Sequence, residues 1–507
     1  MRRAFVFGFL LAARHVRIWI VGSPRLASRL ARPGHERELW RIGEWRAWLA
    51  FERARDRVPA YAAFLAEHGG TVTVRGLTPD FSDVPETTKE NYVRRWSVEE
   101  RCVDGRLPIR GAVIDESSGT SGEPSNWVRG PDERRDGRKL LHLGVRRVLG
   151  DEPLFVINAF ALGPWATGMN LSMAIVDIAV LKSTGPDVAK IEKTLKLFGS
   201  GYHYLICGYP PFLKQLVDTA DVEWERYDCL AAVGGEGMSE ALRTYLHRAF
   251  REVYSSYGAS DLEINIATEN DFTIGLRQRL AENPELGRAL DLPNHPSLPM
   301  VFQYNPLDYL IETNASGELV ITICRLDTAS PKIRYCIHDL GCVRRFPQVH
   351  AALDGLGLRP DDVAREWLDL PLLFHYGRSD NTVAFYGANL GMADVQEAVY
   401  GLPALAERVC GFALLLGEDE SANKKLDLAF ELHAGADAPA DVRAEVLRRL
   451  EAVNQDWREA SRFMPPSQPT ISFHPEGTGP FAGGDPRVKH AYVRGKGRDT
   501  NGDPARP

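Results

Sequence analysis

Short apolar runs alternating with amphipathic stripes constrain this chain more than any other feature. Phe155-Val156-Ile157, Tyr204-Leu205-Ile206-Cys207 and Leu230-Ala231-Ala232-Val233 each read as a buried strand. Helical stripes lie around them. Leu141, Val145 and Val148 precede the first strand and Leu213 and Leu216 follow the second. Leu242, Tyr245, Leu246, Ala249 and Phe250 follow the third, with Ser239 as the expected N-cap. Such alternation predicts an α/β protein with parallel-rich sheets covered by helices and ligands met by loops at the carboxyl ends of strands. At 507 residues the chain exceeds one ordinary core, so more than one domain is expected.

A composition of 44% hydrophobic and 25% charged residues excludes a disordered or fibrous chain. A net charge of -7 supplies no basic footprint for nucleic acid. The cysteines Cys102, Cys207, Cys229, Cys324, Cys336, Cys342 and Cys410 are odd in number and form no C-x-x-C pair, which argues against a disulfide framework. Cys336, His338 and Cys342 lie close along the chain, but a fourth ligand at zinc-like spacing is missing and no metal site is expected there.

At the N-terminus Met1-Arg2-Arg3 precedes an apolar run from Ala4 to Ala13. That run is shorter than the ~20 residues a membrane span needs. Arg14, His15 and Arg17, with no small-x-small cleavage site, argue against a signal peptide. Residues 1–35 are expected to form an extension that packs on the body or touches a membrane surface, in a cytoplasmic protein.

The stretch E-S-S-G-T-S-G-E-P-S-N, Glu116 to Asn126, follows the apolar run Ala112-Val113-Ile114 and precedes a helix-like segment from near Asp132. Gly119 and Gly122 permit unusual backbone conformations, while Ser117, Ser118, Thr120 and Ser121 offer hydroxyls and N–H groups to an anion. Strand, small-residue loop and helix is the expected order for a phosphate cradle. No Gly-Lys-Ser/Thr follows the second glycine, so the common nucleotide P-loop is excluded. Taken alone, the string also suits a Ser/Gly-rich surface turn.

Other stretches carry chemistry. G-G-E-G (Gly234 to Gly237) ends the third strand, and Y-G-A-S-D-L-E (Tyr257 to Glu263) offers a ring for a flat heterocycle. Asp261 and Glu263 are hard oxygen ligands suited to magnesium, although a turn with solvated acids fits the same residues. In R-Y-C-I-H-D-L-G, Asp339 is expected at a strand end, where its carboxylate can accept ribose hydroxyls. Phe160, Trp165 and Met169 suit an acyl pocket wall or, more often for such residues, a plain core cluster. Thr87 or Thr88 is a candidate N-cap with Lys89 and Glu90 in the first turn, and Glu36 to Gly69 reads as helical. H-Y-G-R-S-D-N-T, from His375, reads as a domain boundary. Beyond it Leu426, Leu428, Phe430 and Leu432 pattern as a strand, and Val442, Val446, Leu450, Val453 and Trp457 as a helix face. The tail from Gly477 is expected to be loop-like.

Together and in this order these stretches resemble the acyl-adenylating superfamily, most closely its phenylacetate–CoA ligase-like family. S-S-G-T-S-G-E-P resembles the ATP phosphate loop, G-G-E-G and Y-G-A-S-D the adenine- and magnesium-side motifs, H-D-L-G the ribose aspartate and G-R-S-D-N the hinge. V-P-A-Y and E-T-T-K-E are similar to this branch in particular. The resemblance implies an ATP- and acid-binding domain over 36–377, a small mobile α/β domain over 378–495 and a tail over 496–507.

It implies ATP-dependent activation of a carboxylic acid, aromatic or apolar, to acyl-AMP, then transfer to a thiol, usually coenzyme A, with Mg2+ as cofactor. Ser117, Ser118, Gly119, Thr120, Ser121 and Gly122 would hold phosphates, with Thr120 also catalytic. Gly235, Glu236, Tyr257, Gly258 and Ser260 would bound the adenine, Asp339 the ribose, Arg378 ribose or phosphate, and Asp261 the metal. Asp380 would be the pivot between half-reactions, and Lys489, with Lys496 second, the C-terminal catalytic lysine. Ser125 and Asn126 stand where many members carry lysine, His338 where glycine is usual, and Asp261 where glutamate is commoner. Two other functions fit the residues: adenylation with transfer to an amine, hydroxyl or carrier protein, and a non-catalytic nucleotide-binding homologue.

Overall fold

A computed structural model describes residues 34–495 except 117–124, 150–152, 161, 164–165, 236, 296–297, 380–382, 386–387, 419–423, 440–441, 455–456, 459–460, 462–468 and 483–492. The chain divides into two compact units, Met1–Met238 with Leu246–Ser379, and Ser239–Tyr245 with Asp380–Pro507. No helix among the described residues is long and apolar enough to cross a membrane.

The first unit opens with α1 (Glu36–Arg57) and α2 (Pro59–His68), parted at Val58 because Pro59 starts a new helix at its first turn. Trp48, Phe51 and Ala54 of α1 and Tyr61 and Phe64 of α2 are buried in one core. Within it Phe51 and Tyr61 meet edge to face at 6.1 Å. A ribbon of β1 (Thr73–Arg75) and β2 (Thr78–Asp80) follows, then a π-helical turn, Lys89–Val93. Thr88 caps that turn: its hydroxyl accepts from the Asn91 N–H at 3.2 Å while Asn91 Oδ1 accepts from the Thr88 N–H at 2.7 Å.

β3 (Val113–Glu116) and β4 (Asn126–Arg129) pair antiparallel, with Glu116 opposite Asn126. The Ser/Gly stretch therefore joins two strands of a hairpin, and only after β4 does α3 (Pro131–Leu149) begin. This corrects the expected strand, loop and helix order. Asn126 to Arg129 pairs back because Trp127 and Val128 are apolar enough to be buried.

The main sheet takes β5 (Leu154–Asn158), β6 (Val180–Ser183), β7 (His203–Gly208), β8 (Asp228–Gly234) and β9 (Glu252–Tyr257) from the alternating region. It continues through β10 (Ala267–Thr268), β11 (Met300–Tyr304), β12 (Tyr309–Thr313), β13 (Glu318–Ile323), β14 (Tyr335–Arg344) and β15 (Leu372–Arg378). Its eleven strands run in the order β12-β13-β14-β15-β11-β10-β9-β8-β7-β5-β6. From β6 to β9 every pairing is parallel, and from β9 to β12 every pairing is antiparallel. The parallel strands read as continuous apolar runs because both faces are covered; all five residues of β5 are buried. Leu141 and Val145 of α3 pack against the buried cluster that holds Val156, Leu205 and Leu230, while the side chain of Val148, the third residue of the stripe, lies outside the described ones.

The helix after β8 differs from its sequence pattern. It spans Glu240–Leu246 alone, with the Ser239 hydroxyl accepting from the Leu242 N–H at 3.1 Å. Ala249 and Phe250 lie past its end yet are buried.

The second unit holds a ribbon, β16 (Val383–Phe385) with β17 (Ala388–Leu390), and a four-stranded sheet. β18 (Val409–Glu418) and β19 (Lys424–Leu432) pair antiparallel, and β20 (Thr470–Pro475) and β21 (Val493–Gly495) add in parallel outside them. Leu426, Leu428 and Phe430 are fully buried, as are Val446 and Leu450 on the helix Val442–Val453. The tail, expected to be loop-like, contributes β21.

Candidate active site

The parallel strands end together. Gly208 is opposite Val233 and Gly234 opposite Ser256, so Gly235, just past β8, and Tyr257, the last residue of β9, stand side by side at the carboxyl edge of the parallel strands. Gly235 has φ +80, a left-handed conformation that suits glycine. Gly258 is fixed by space instead. A Cβ there would lie 2.4 Å from the Glu263 carbonyl oxygen and 2.4 Å from the Ile264 carbonyl carbon. The loop folds back this tightly because the Ala259 N–H donates to the Glu263 carbonyl at 2.9 Å and the Ile266 N–H to the Tyr257 carbonyl at 2.8 Å. Gly258→Ala is expected to force the loop open at a cost of about 1–3 kcal/mol. Urea unfolding checks this, and an unchanged midpoint would mean that the loop yields without penalty.

Tyr257 and Asp339 lie on strands four steps apart in the sheet, ~19 Å if the sheet were flat. Yet the Tyr257 hydroxyl donates to Asp339 Oδ2 at 2.7 Å, so the sheet curls to bring them together. His375 on β15 completes the group, its Nε2 3.7 Å from the same oxygen and its ring 4.9 Å from that of Tyr257. Tyr257 is 6% exposed, and its ring packs on His375 and Phe302, so in this arrangement the phenol holds the carboxylate. Asp339 is not at a strand end. It sits inside β14, where His338 has φ +65 and the pairing with β15 shifts register between Leu340 and Gly341.

Asp261 is met by a residue that the sequence marked only as part of a helical turn. Lys89 Nζ lies 3.2 Å from its Oδ2, and the Tyr335 hydroxyl donates to the same oxygen at 3.2 Å. Lys89 is carried there because Thr87 is stitched to β14: its N–H donates to the Arg334 carbonyl and its carbonyl accepts from the Cys336 N–H, both at 2.9 Å. These residues do not fit a magnesium ion held by the protein. Lys89 already answers the Asp261 charge, while Glu263 is engaged by Arg325 and by the Tyr309 hydroxyl. This departs from the assignment of Asp261 to a metal.

Arg129, on β4, is 5% exposed and ties the hairpin to the loop after β9. It pairs with Asp115 of β3 at 3.1 Å and Glu133 of α3 at 3.6 Å, and donates to the Ser260 and Leu262 carbonyls. Burial, opposed by the Arg129 charge, holds the Glu133 carboxyl above the usual carboxylate range. Asn170 Nδ2 donates to both Asp115 oxygens at 3.0 Å. Beside this network lies a cavity of ≈ 110 Å³, walled by Arg129, Glu133, Arg138, Asn170, Met173 and Glu263 among others. Its lining is more polar than an acyl wall of Phe160, Trp165 and Met169 would give. Phe160 is buried in the β5–β7 core against Tyr209, and Trp165 lies outside the described residues.

The structure thus brings together Gly235, Tyr257, Gly258, Ser260, Asp261 and Asp339, and adds Lys89, Arg129, Tyr335 and His375. The backbone of Arg378 is opposite Asp339 in the β14–β15 ladder. Ser117, Ser118, Gly119, Thr120, Ser121, Gly122, Glu236, Asp380, Lys489 and Lys496 lie outside the described residues, as do residues 1–33. The Thr-Thr-Lys step was the available signal for Lys89, and W-V-R after the Ser/Gly stretch the one for Arg129.

No protein-family model and no curated protein matches this sequence. Solved structures do. A 2-hydroxyisobutyryl-CoA ligase in its postadenylation state with R3-HIB-AMP is similar at a TM-score of 0.60 and 14% identity, covering 91% of this chain and 89% of that one. The same ligase with 2-HIB-AMP gives 0.60 at 13% identity, over 91% and 89%. An open conformation with 2-HIB-AMP and CoA gives 0.50 at 12% identity, over 91% of both chains. This chain has the fold of AMP-forming acyl-CoA ligases.

Proposed function

We propose that this chain, built on the fold of AMP-forming acyl-CoA ligases, is an ATP-dependent acid–thiol ligase of the phenylacetate–CoA ligase-like kind. One observation carries the reading: the Tyr257–Asp339–His375 group at the carboxyl edge of the parallel strands, with Asp339 buried and held by a phenol. A carboxylate so fixed is preorganised to accept the two hydroxyls of a ribose. The carboxylate of an aromatic or apolar acid attacks the α-phosphate of ATP, expelling pyrophosphate, and a thiol, coenzyme A, then takes the acyl group from AMP.

The chain's part is positioning and charge. Ser117 to Gly122 would meet the phosphates, with the hydroxyls of Ser118, Thr120 and Ser121 and the loop N–H groups stabilising charge as it develops. Gly235 and Glu236 would bound the adenine, Tyr257, its ring covered by His375 and Phe302, would reach the nucleotide only through the Asp339 it holds, and Arg378 and Lys489 would supply cations from β15 and the tail. Lys89, beside Asp261, is a further cation at the same edge and would face the phosphate or the acid. No step is assigned to a metal on Asp261. The structures of the 2-hydroxyisobutyryl-CoA ligase, with acyl-AMP and CoA bound, support the same order of events here.

Pyrophosphate–ATP exchange without coenzyme A, over aryl, arylacetic, fatty and amino acids, tests the reading. Exchange that depends on one acid class is expected. Exchange with none, while ATP still binds, would overturn it in favour of a non-catalytic nucleotide-binding protein.

A further inference from the structure

Strands β13 and β14 bring three donors of different chemistry to one place. Glu318 begins β13, and Cys336 and His338 stand two apart on β14. His338 Nδ1 is 3.1 Å from Glu318 Oε1, Cys336 Sγ is 3.6 Å from Glu318 Oε2, and Cys336 Sγ is 4.0 Å from His338 Nδ1. Around a tetrahedral zinc ion, with bonds of ~2.3 Å to sulfur and ~2.0–2.2 Å to nitrogen and oxygen, ligand atoms stand ~3.4–3.6 Å apart. The sulfur–nitrogen separation of 4.0 Å must close slightly, and because the two contacts to Glu318 go to its two different oxygens, the carboxylate must also turn to present one oxygen to the ion. Among the described residues this is the one group of three or more His, Cys, Asp or Glu side chains close enough to hold an ion.

The surroundings fit a metal site as well. The second nitrogen of His338, Nε2, lies 4.0 Å from Glu90 Oε2, beyond hydrogen-bond distance but on the side from which a carboxylate would approach a ligating imidazole. Glu318 is oriented in turn by Asn314 Nδ2 at 3.3 Å and by the Ser379 hydroxyl at 3.1 Å. His338 is one of four non-glycine residues with positive φ among those described, and such outliers gather at ligand clamps. Cys336 is buried while the His338 side chain is 43% exposed, so the fourth position opens toward solvent.

We propose that Glu318, Cys336 and His338 bind one zinc ion, with water as the fourth ligand. Cys336 binds as thiolate, its proton passing to solvent, and His338 binds as neutral imidazole through Nδ1. The ion clamps β13 to β14 one residue from Asp339. It also reaches the end of the first unit, because the Ser379 N–H donates to the His338 carbonyl at 2.9 Å.

The test uses the full chain, stripped with a chelator and titrated with Co2+ and then Zn2+. One equivalent of Co2+ should give tetrahedral visible bands and a near-ultraviolet thiolate-to-cobalt band, both displaced by Zn2+. Cys336→Ser should lose the thiolate band, Glu318→Gln should weaken binding by at least the ~10–100-fold that loss of an outer-shell partner already costs, and Cys342→Ser should change neither. His338→Gly relieves the positive φ, so it should keep the stripped chain at least as stable while losing the metal, which keeps the test decisive if Cys336→Ser folds poorly. A thiolate band absent from the parent, surviving Cys336→Ser or undiminished in His338→Gly would overturn the proposal. None of these readouts depends on ligase activity.

Discussion

Arg129→Leu should lower the stability of the chain by about 3–5 kcal/mol, read as a lower urea midpoint at pH 7. Leucine fills much of the space but leaves Asp115 and Glu133 buried without the cation they share. It also strips the Ser260 and Leu262 carbonyls of their donor. The sign of the pH dependence follows. Glu133 is already raised by burial, and losing Arg129 raises it further, so between its unfolded value near 4.5 and its folded value the native state holds the extra proton. In that window stability falls as pH rises. The deficit of Arg129→Leu should therefore be smaller at pH 5 than at pH 7. A deficit that is independent of pH would mean that lost packing, rather than orphaned charge, is its cause. Nucleotide binding should weaken in step, because the hairpin bearing Ser117 to Gly122 loses its tie to the Tyr257 loop.

Asp339→Ala should reduce pyrophosphate exchange at subsaturating ATP by ~10²–10⁴-fold, the loss of two hydrogen bonds to a charged group at ~1.5–3 kcal/mol each. Tyr257→Phe should cost far less, ~10-fold, because it removes one donor that positions the carboxylate and leaves the carboxylate itself. Exchange unaffected by Asp339→Ala would remove the ribose role and with it the observation on which the ligase reading rests. A loss confined to KM for ATP, with turnover at saturation intact, would mean that the contact binds ground state and transition state alike.

What the sequence made legible was burial and local chemistry. The runs 155–157, 204–207 and 230–233 are strands of the parallel half-sheet because apolar runs bounded by turn residues have few other solutions. Thr88 caps its turn as its side chain suggests. The stripe after Ser239 shows the limit of the signal. All five of its apolar residues are buried, but the helix stops at Leu246, since periodicity reports which residues leave water and only indirectly how the backbone does so.

Long-range pairing was the illegible part. Arg129 finds partners 131 and 133 residues onward, and Lys89 reaches Asp261 through a backbone bridge from Thr87 to β14. Cys342 looks like a companion of Cys336 and His338 by spacing. The irregularity at His338 and Leu340 breaks the strand's alternation, and Cys342 packs instead with Phe272, Val349 and Phe374. Glu318, the partner that does arrive, is adjacent only through strand pairing.

Arg129 fastens the loop after β9 by its carbonyl oxygens, which every amino acid possesses. The fastening is therefore blind to the identity of residue 260, and Ser260 can drift in sequence without loosening the joint. Gly258 and Arg129 cannot, because one is held by the absence of a side chain and the other by five donors in a fixed fork. As far as this joint is concerned, Gly258 and Arg129 would be kept together across descendants of this chain while the side chain at 260 changes.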